Sequence, residues 1–368
     1  MDHERVGIVH ERLTEIAGSE HVIEQLALEW PDSEVFTTIA RPEGIPAGLT
    51  RPPHTTRLDK LYHATGQRTY APLMPLMPSA FRHLDLSGFD VVIASHHAFA
   101  TQAVLATDAP VVAYVHSPAR WAWDPTLRAS EGGGRLGAAV LSVLSRVARR
   151  AEVLAAPKLS TVVANSSAVA TRIKDWWRRD SVVVPPPVDT EGFTIDPTVE
   201  REDFYLLAGR LVPYKRPDIA VLAAAAADVP LVVVGEGRAF ELCRSVAGPR
   251  TKFLGRVPHA ELLDLHRRAR ALLMPGVEDF GIVPVEAMAT GTPVIALGEG
   301  GAVDTVIPGL SGVHVANGTD REVVDGFVAA IRSFRPDDFD RNEIRRWAEN
   351  FSRENFRRRM HDVVSATV

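Results

Sequence analysis

Short apolar, β-branched runs recur along the chain, each followed by an Ala- and Leu-rich stretch with helical spacing. In the first half the runs are Val6–Val9, Val35–Ile39, Val91–Ala94, Val111–Val115, Thr161–Ala164 and Val182–Val184. In the second half they are Phe204–Leu207, Leu231–Val234, Lys252–Leu254, Ala271–Met274, Val294–Ala296 and Val313–Val315. Nearly continuous apolar strands such as Pro230–Gly235 suit a parallel sheet covered on both faces. Strand–helix alternation of this kind predicts an α/β protein of doubly wound, Rossmann-like parallel sheets.

The pattern breaks at Pro185-Pro186-Pro187. Three consecutive prolines can continue neither a ladder nor a helix and form a stiff extended connector. With 368 residues in all, two domains of similar size follow, residues 1–187 and 188–351, expected to face each other across a cleft. The last stretch, Ile344–Val368, reads as helical and amphipathic, carrying Trp347, Phe351 and Phe356, with a C-terminal helix 352–368 able to cross back to the first domain. The Gly132-Gly133-Gly134 run reads as a loop or a helix entry.

Composition narrows the class. Hydrophobic residues make up 46% and charged residues 24%, enough apolar material for two cores. The net charge of −5 argues against a nucleic-acid partner, which calls for a basic face. Local basic clusters, Arg146, Arg149, Arg150 and Arg178, Arg179, read as solvated helix faces or as an anionic contact. The single cysteine, Cys243, excludes a disulfide framework and a Cys-based metal site. The charged N-terminus is no signal peptide, and no apolar run is long enough to span a bilayer. The expectation is a cytoplasmic protein, with peripheral contact at the inner membrane face left open. The apolar, proline-broken segment Tyr70–Pro78 could meet lipid, an acceptor or a partner subunit, or be buried. Oligomeric state is open.

Two segments carry chemistry. Glu278-Asp279-Phe280-Gly281-Ile282-Val283-Pro284-Val285-Glu286 follows the strand Ala271–Pro275 and opens a helix. Pro284 suits a first turn, the helix N-terminus offers free N–H donors to phosphate or sugar oxygens, and Gly281 lets a ligand approach the backbone. Such a strand–helix turn lies at the carboxyl edge of the sheet, where open α/β sheets bind ligands. The other segment, Gly209-Arg210-Leu211-Val212-Pro213-Tyr214-Lys215, follows the strand Phe204–Ala208. Arg and Lys on one loop could hold a diphosphate from two sides. Lys215 is one of only five lysines among 41 basic residues, where a surface position would usually carry Arg.

In this order and spacing, the G-R-x4-K and E-x7-E pair resembles the GT-B fold retaining glycosyltransferases of family 4, over nearly the whole chain. The resemblance implies that Arg210 and Lys215 hold the donor diphosphate and that Glu286 binds the ribose hydroxyls. It implies that Glu278 holds the donor sugar with backbone N–H groups of Phe280, Gly281 and Ile282, and that Arg256 and Val257 lie beside the base. In the first half, Tyr114-Val115-His116-Ser117-Pro118-Ala119-Arg120-Trp121-Ala122-Trp123-Asp124 resembles a segment of mannosyltransferase-like members that build bacterial surface polysaccharides. That similarity implies that His116 contacts the transferred sugar. Trp121 and Trp123 pack in a core or stack on sugar rings. The turn His10–Glu20 matches the same subgroup in outline, with Ala17-Gly18 where relatives have two glycines, so only Gly18 carries the implied contact with phosphates or acceptor.

No D-x-D follows a first-domain strand, Asp337–Asp340 reads as a turn and cap, and there is no P-loop. No metal and no cofactor beyond the nucleotide diphosphate sugar is therefore expected. The resemblance implies hexosyl transfer, mannose favoured, with retention, to a hydroxyl of a glycan, lipid-linked or small-molecule acceptor. The alternatives are a sugar-nucleotide-binding scaffold or inactive partner subunit, and an epimerase of the same fold.

Overall fold

The structure, a computed structural model, describes residues 4–66, 69–125 and 134–368, the side chains of 134–136 aside; Gly132 and Gly133 lie outside the described residues. The chain divides into two compact units, Met1–Pro187 with Phe356–Val368, and Val188–Asn355.

The first unit is built on a seven-stranded sheet: β1 (Val6–His10), β2 (Glu34–Thr37), β3 (His54–Thr55), β4 (Val91–His96), β5 (Val111–Val115), β6 (Thr161–Ala164) and β7 (Val182–Val183), in the order β3-β2-β1-β4-β5-β6-β7. Every pairing is parallel. The second unit has a six-stranded parallel sheet: β8 (Tyr205–Ala208), β9 (Leu231–Val234), β10 (Thr251–Gly255), β11 (Ala271–Met274), β12 (Val294–Leu297) and β13 (Gly312–Val315), in the order β10-β9-β8-β11-β12-β13. Both sheets reverse their winding beside the first strand, the topology of doubly wound, GT-B-type domains, and the reversal point is where such sheets take ligands. The central strands β4, β5, β11 and β12 are buried along their whole length, which is why they read as unbroken apolar runs.

Every apolar run reads correctly as a strand, to within a residue or two at its ends. The pattern misses β3, two exposed residues with no apolar run to announce them. The stretch Ile344–Val368 is helical with one interruption: Arg341–Ala348 ends in a turn at Glu349–Phe351, and the expected last helix runs Arg353–Ser365. The break is where Val188 N–H donates to the Phe351 carbonyl and the chain bridges to Ser352. Phe356, Met360 and Val364 then pack in the first unit beneath Ile8, Tyr114 and Val163.

The Tyr70–Pro78 segment is mixed, with Leu73, Met77 and Pro78 buried and Ala71, Pro72, Pro75 and Leu76 exposed. Leu73 and Met77 join the first unit's core, the Arg12 guanidinium covers the Tyr70 ring at 4.4 Å, and Leu76 is left exposed. Asp340 caps the helix after it, accepting from the N–H groups of Asn342 and Glu343. Among the described residues no helix is long and apolar enough to cross a membrane.

Candidate functional site

In the second unit the turns after β8 and β11 meet at the carboxyl edge of the sheet. Their backbones touch at Gly276, where a Cβ would stand 2.5 Å from Lys215 Cα; only glycine allows the two loops this close. Gly209, Arg210, Lys215, Gly276, Glu278 and Val283 line one cavity there. Lys215 Nζ lies 3.0 Å from Glu278 Oε2. Arg210 is exposed, its guanidinium 3.4 Å from the Tyr214 hydroxyl.

The helix Ile282–Ala289 opens at Gly281, whose φ of 93° is open to glycine at little cost. Its first N–H groups have no intrahelical acceptor and aim partial positive charge past its N-terminus. Phe280 turns inward, 4% exposed, its ring edge-on to Phe351 at 5.6 Å. Its side chain anchors the turn, so only its backbone is left for a ligand. Glu286 sits one turn into the helix. Burial raises its carboxyl to about 7, Asp189 adds to the rise, and Lys215 opposes it.

Arg256 and Val257 stand apart from this group. They follow β10, the sheet's edge strand, and do not line the cavity. Arg256 is 85% exposed and pairs with Glu236 at 3.1 Å, while Val257 packs against the core.

In the first unit His116 directly follows β5, and a cluster forms where β1, β4 and β5 end side by side. Ser95 Oγ is 2.8 Å from His116 Nε2 and 3.0 Å from His10 Nδ1. His10 Nε2 faces Glu20 Oε1 at 3.5 Å. His97 stacks on His116, ring centroids 4.3 Å apart. Burial, then the charged form of His10, pushes His116 down to about 3, with Glu20 pulling the other way. The ring is therefore neutral at physiological pH. Burial raises the Glu20 carboxyl, but contacts with His10 and the Ala17 N–H outweigh it and hold the group at about 2. Gly18 begins the helix Gly18–Glu29, two residues before Glu20.

His10, Ser95, His97 and Glu20 were not singled out from the sequence as members of this site. The available signal was a histidine closing three separate apolar runs, at His10, His96-His97 and His116. Trp123 belongs to the packing. Its ring stacks on Trp176, and its indole N–H donates to the buried Glu152, which also accepts from His96, Trp177 and the Ala119 N–H. Trp121 likewise packs against the core. Arg179 donates to the Ala156 and Leu159 carbonyls within its own unit. Among the described residues no three His, Cys, Asp or Glu side chains converge as a metal ion would need.

Residues 190–350 match the family described as Glycosyl transferases group 1, and residues 16–192 match Glycosyltransferase Family 4. A D-inositol 3-phosphate glycosyltransferase of Geodermatophilus obscurus is 35% identical over 253 residues, 58% of this chain and 55% of that protein. A GDP-mannose-dependent alpha-(1-6)-phosphatidylinositol monomannoside mannosyltransferase of Mycolicibacterium smegmatis is 34% identical over 176 residues, 40% of this chain and 45% of that one. The chain thus spans about half the length of the curated relatives it matches. Among solved structures, an Anabaena protein in complex with UDP shares 19% identity at a TM-score of 0.69, covering 98% of this chain and 100% of that one. A sucrose-phosphate synthase from Thermosynechococcus elongatus shares 18% identity at a TM-score of 0.72, covering 98% of each chain. At these identities the structural likeness speaks to the fold.

Proposed function

Since the chain belongs to the family 4, group 1 glycosyltransferases, we propose that it transfers a hexosyl unit from a nucleotide diphosphate sugar to an acceptor hydroxyl, with retention at the anomeric carbon. The observation that carries this reading is the convergence of Arg210, Lys215 and the Ile282–Ala289 helix N-terminus at one sheet edge, with Glu278 and Glu286 beside them.

The diphosphate sits against the two cations and the free N–H groups, which stabilise the charge that grows on it as the glycosidic bond breaks. This arrangement supplies the neutralising charge from the protein, so the reaction needs no metal ion. Glu286 accepts from the ribose hydroxyls, and Glu278 accepts from hydroxyls of the sugar once the diphosphate has taken over Lys215. His116 is the first unit's contact for the transferred sugar. The acceptor attacks from the face the leaving group vacates, and a diphosphate oxygen takes the acceptor proton. Mannose carried on GDP is the donor favoured by the mannosyltransferase among the relatives.

The test is calorimetric titration of GDP, UDP, ADP and dTDP, then turnover of the matching sugar nucleotides with 1 mM EDTA. Tight binding of one nucleotide, and turnover that survives the chelator, is the expected result. Turnover lost in EDTA and restored by Mg²⁺ or Mn²⁺ would remove the metal-free claim.

A further inference from the structure

The helix Gly134–Ala155 is held in the first unit by one face. Ala148 and Ala151 lie in the core, Ser145 is fully buried, and the buried Glu152 accepts from the Trp123 and Trp177 indoles. Residues three and four apart share a helix face, and the opposite face carries Val140, Val143, Arg146, Arg150, Val153 and Leu154, all exposed. Its four aliphatic side chains are 61%, 57%, 52% and 46% exposed in that order. They mark a stripe about 21 Å long on the water side of the helix.

Water does not account for this stripe. Valine gives up rotamer freedom in a helix and gains nothing there without burial. The arginines narrow what covers it. The one acid between residues 137 and 155 is the buried Glu152. The exposed face therefore carries positive charge and no carboxylate, in a chain whose net charge is −5. A second copy of the same face would set arginine against arginine with no acid to receive them, which is unfavourable. Among the described residues no helix is long and apolar enough to cross a bilayer, so this one does not span it. Aliphatic side chains interleaved with arginine suit a helix lying in an anionic bilayer surface. The apolar groups enter the acyl boundary and the guanidiniums reach up to the lipid phosphates.

We propose that this face docks the protein on an anionic lipid bilayer, with Val140, Val143, Val153 and Leu154 entering beneath the headgroups and Arg146 and Arg150 pairing with lipid phosphates. The turn Ala71–Leu76 packs against the same helix and adds exposed Pro72, Pro75 and Leu76 to the apolar surface of this unit. Because the inner face of the helix is already packed, docking has no helix to fold and so avoids that ordering cost. The proposal does not rest on the nucleotide-sugar reading, and its test needs no donor.

The test is flotation of the full chain with vesicles of phosphatidylcholine alone and of equal parts phosphatidylcholine and phosphatidylglycerol. The chain is expected to float with the anionic vesicles only, and less as salt is raised. Arg146→Glu with Arg150→Glu should lower partitioning by more than roughly 25-fold, about fivefold for each cation removed and more for its reversal. Val140→Ser with Val143→Ser should lower it by roughly tenfold. Both pairs lie on the surface, so the urea midpoint of each variant should match wild type. A polarity-sensitive fluorophore on Val143→Cys should shift to the blue on anionic vesicles; Cys243, the other cysteine, is fully buried and stays unlabelled. No flotation with anionic vesicles overturns the proposal. So does flotation undiminished by the arginine pair, or a label at position 143 that keeps its emission in water. A lipid-free dimer in sedimentation that Val143→Glu dissolves would give the face to a second copy and overturn it as well.

Discussion

Lys215 Nζ and Glu278 Oε2 stand 3.0 Å apart across two loops, their side chains 18% and 20% exposed. In the proposed function one lysine thus has two anionic partners: the carboxylate that holds it in the free protein and the diphosphate that would take it over. Replacing the carboxylate frees the lysine. Glu278→Gln should bind a nucleoside diphosphate without sugar more tightly, by roughly two- to fivefold, the ~0.4–1 kcal/mol of a partly exposed ion pair. The same variant should turn over the intact donor more slowly, because its contact with the sugar is weakened. Calorimetry with nucleotide and steady-state kinetics with donor check the two halves; weaker nucleotide binding in the variant would show that Glu278 does not compete for Lys215.

Arg210 and Lys215 should each matter to the nucleotide as well as to the chemistry. Truncation to alanine removes a charge-assisted contact of about 1.5–3 kcal/mol, roughly 10- to 100-fold in kcat/KM. Arg210 is the cleaner probe, since it is exposed and, among the described residues, its guanidinium hydrogen-bonds the exposed Tyr214 hydroxyl. Near-normal kcat/KM in a folded Arg210→Ala would move the diphosphate elsewhere.

Glu152 tests the first unit's packing. Its carboxylate is fully buried and accepts from His96, Trp123, Trp177 and the Ala119 N–H. Glu152→Ala strands all four donors. The expected loss is about 3–5 kcal/mol of stability, the cost of breaking a buried charged contact, seen as an early unfolding transition in urea. A midpoint within the error of wild type would mean that water replaces the carboxylate.

What the sequence discloses here follows from distance along the chain. Arg210 with Lys215, and Glu278 with Glu286, each lie within one strand-to-helix segment, so their spacing is legible as a motif. That the two loops meet requires the β8–β11 adjacency, which no local pattern carries. The histidine cluster is harder still: Ser95 and His10 are 85 positions apart, and Ser95 and His116 are 21 apart. Each looks alone like a polar residue closing a strand. Val257, expected beside the base, is half-buried against the second unit's core, a contact that its place in the motif does not announce.

Glu286 links the site to pH. Burial raises its carboxyl from the usual 4.5 to about 7, with Asp189 contributing and Lys215 opposing. The folded protein therefore holds a proton there that the unfolded chain releases. This stabilisation is complete below about pH 4.5 and is lost as pH rises through 7. Ribose hydroxyls donate best to the ionised carboxylate, so nucleotide binding and deprotonation are coupled with the opposite slope. Only about a tenth of Glu286 is ionised at pH 6 and about nine-tenths at pH 8, so affinity should rise roughly tenfold over that interval. Binding at pH 6 should release close to one proton, measurable by calorimetry in two buffers of different ionisation enthalpy. Glu286→Gln, which keeps the shape and cannot ionise, should bind more weakly at pH 8 and flatten the profile. Should the variant keep the wild-type slope, the ionising group is another, and Glu286 serves only the helix it stands on.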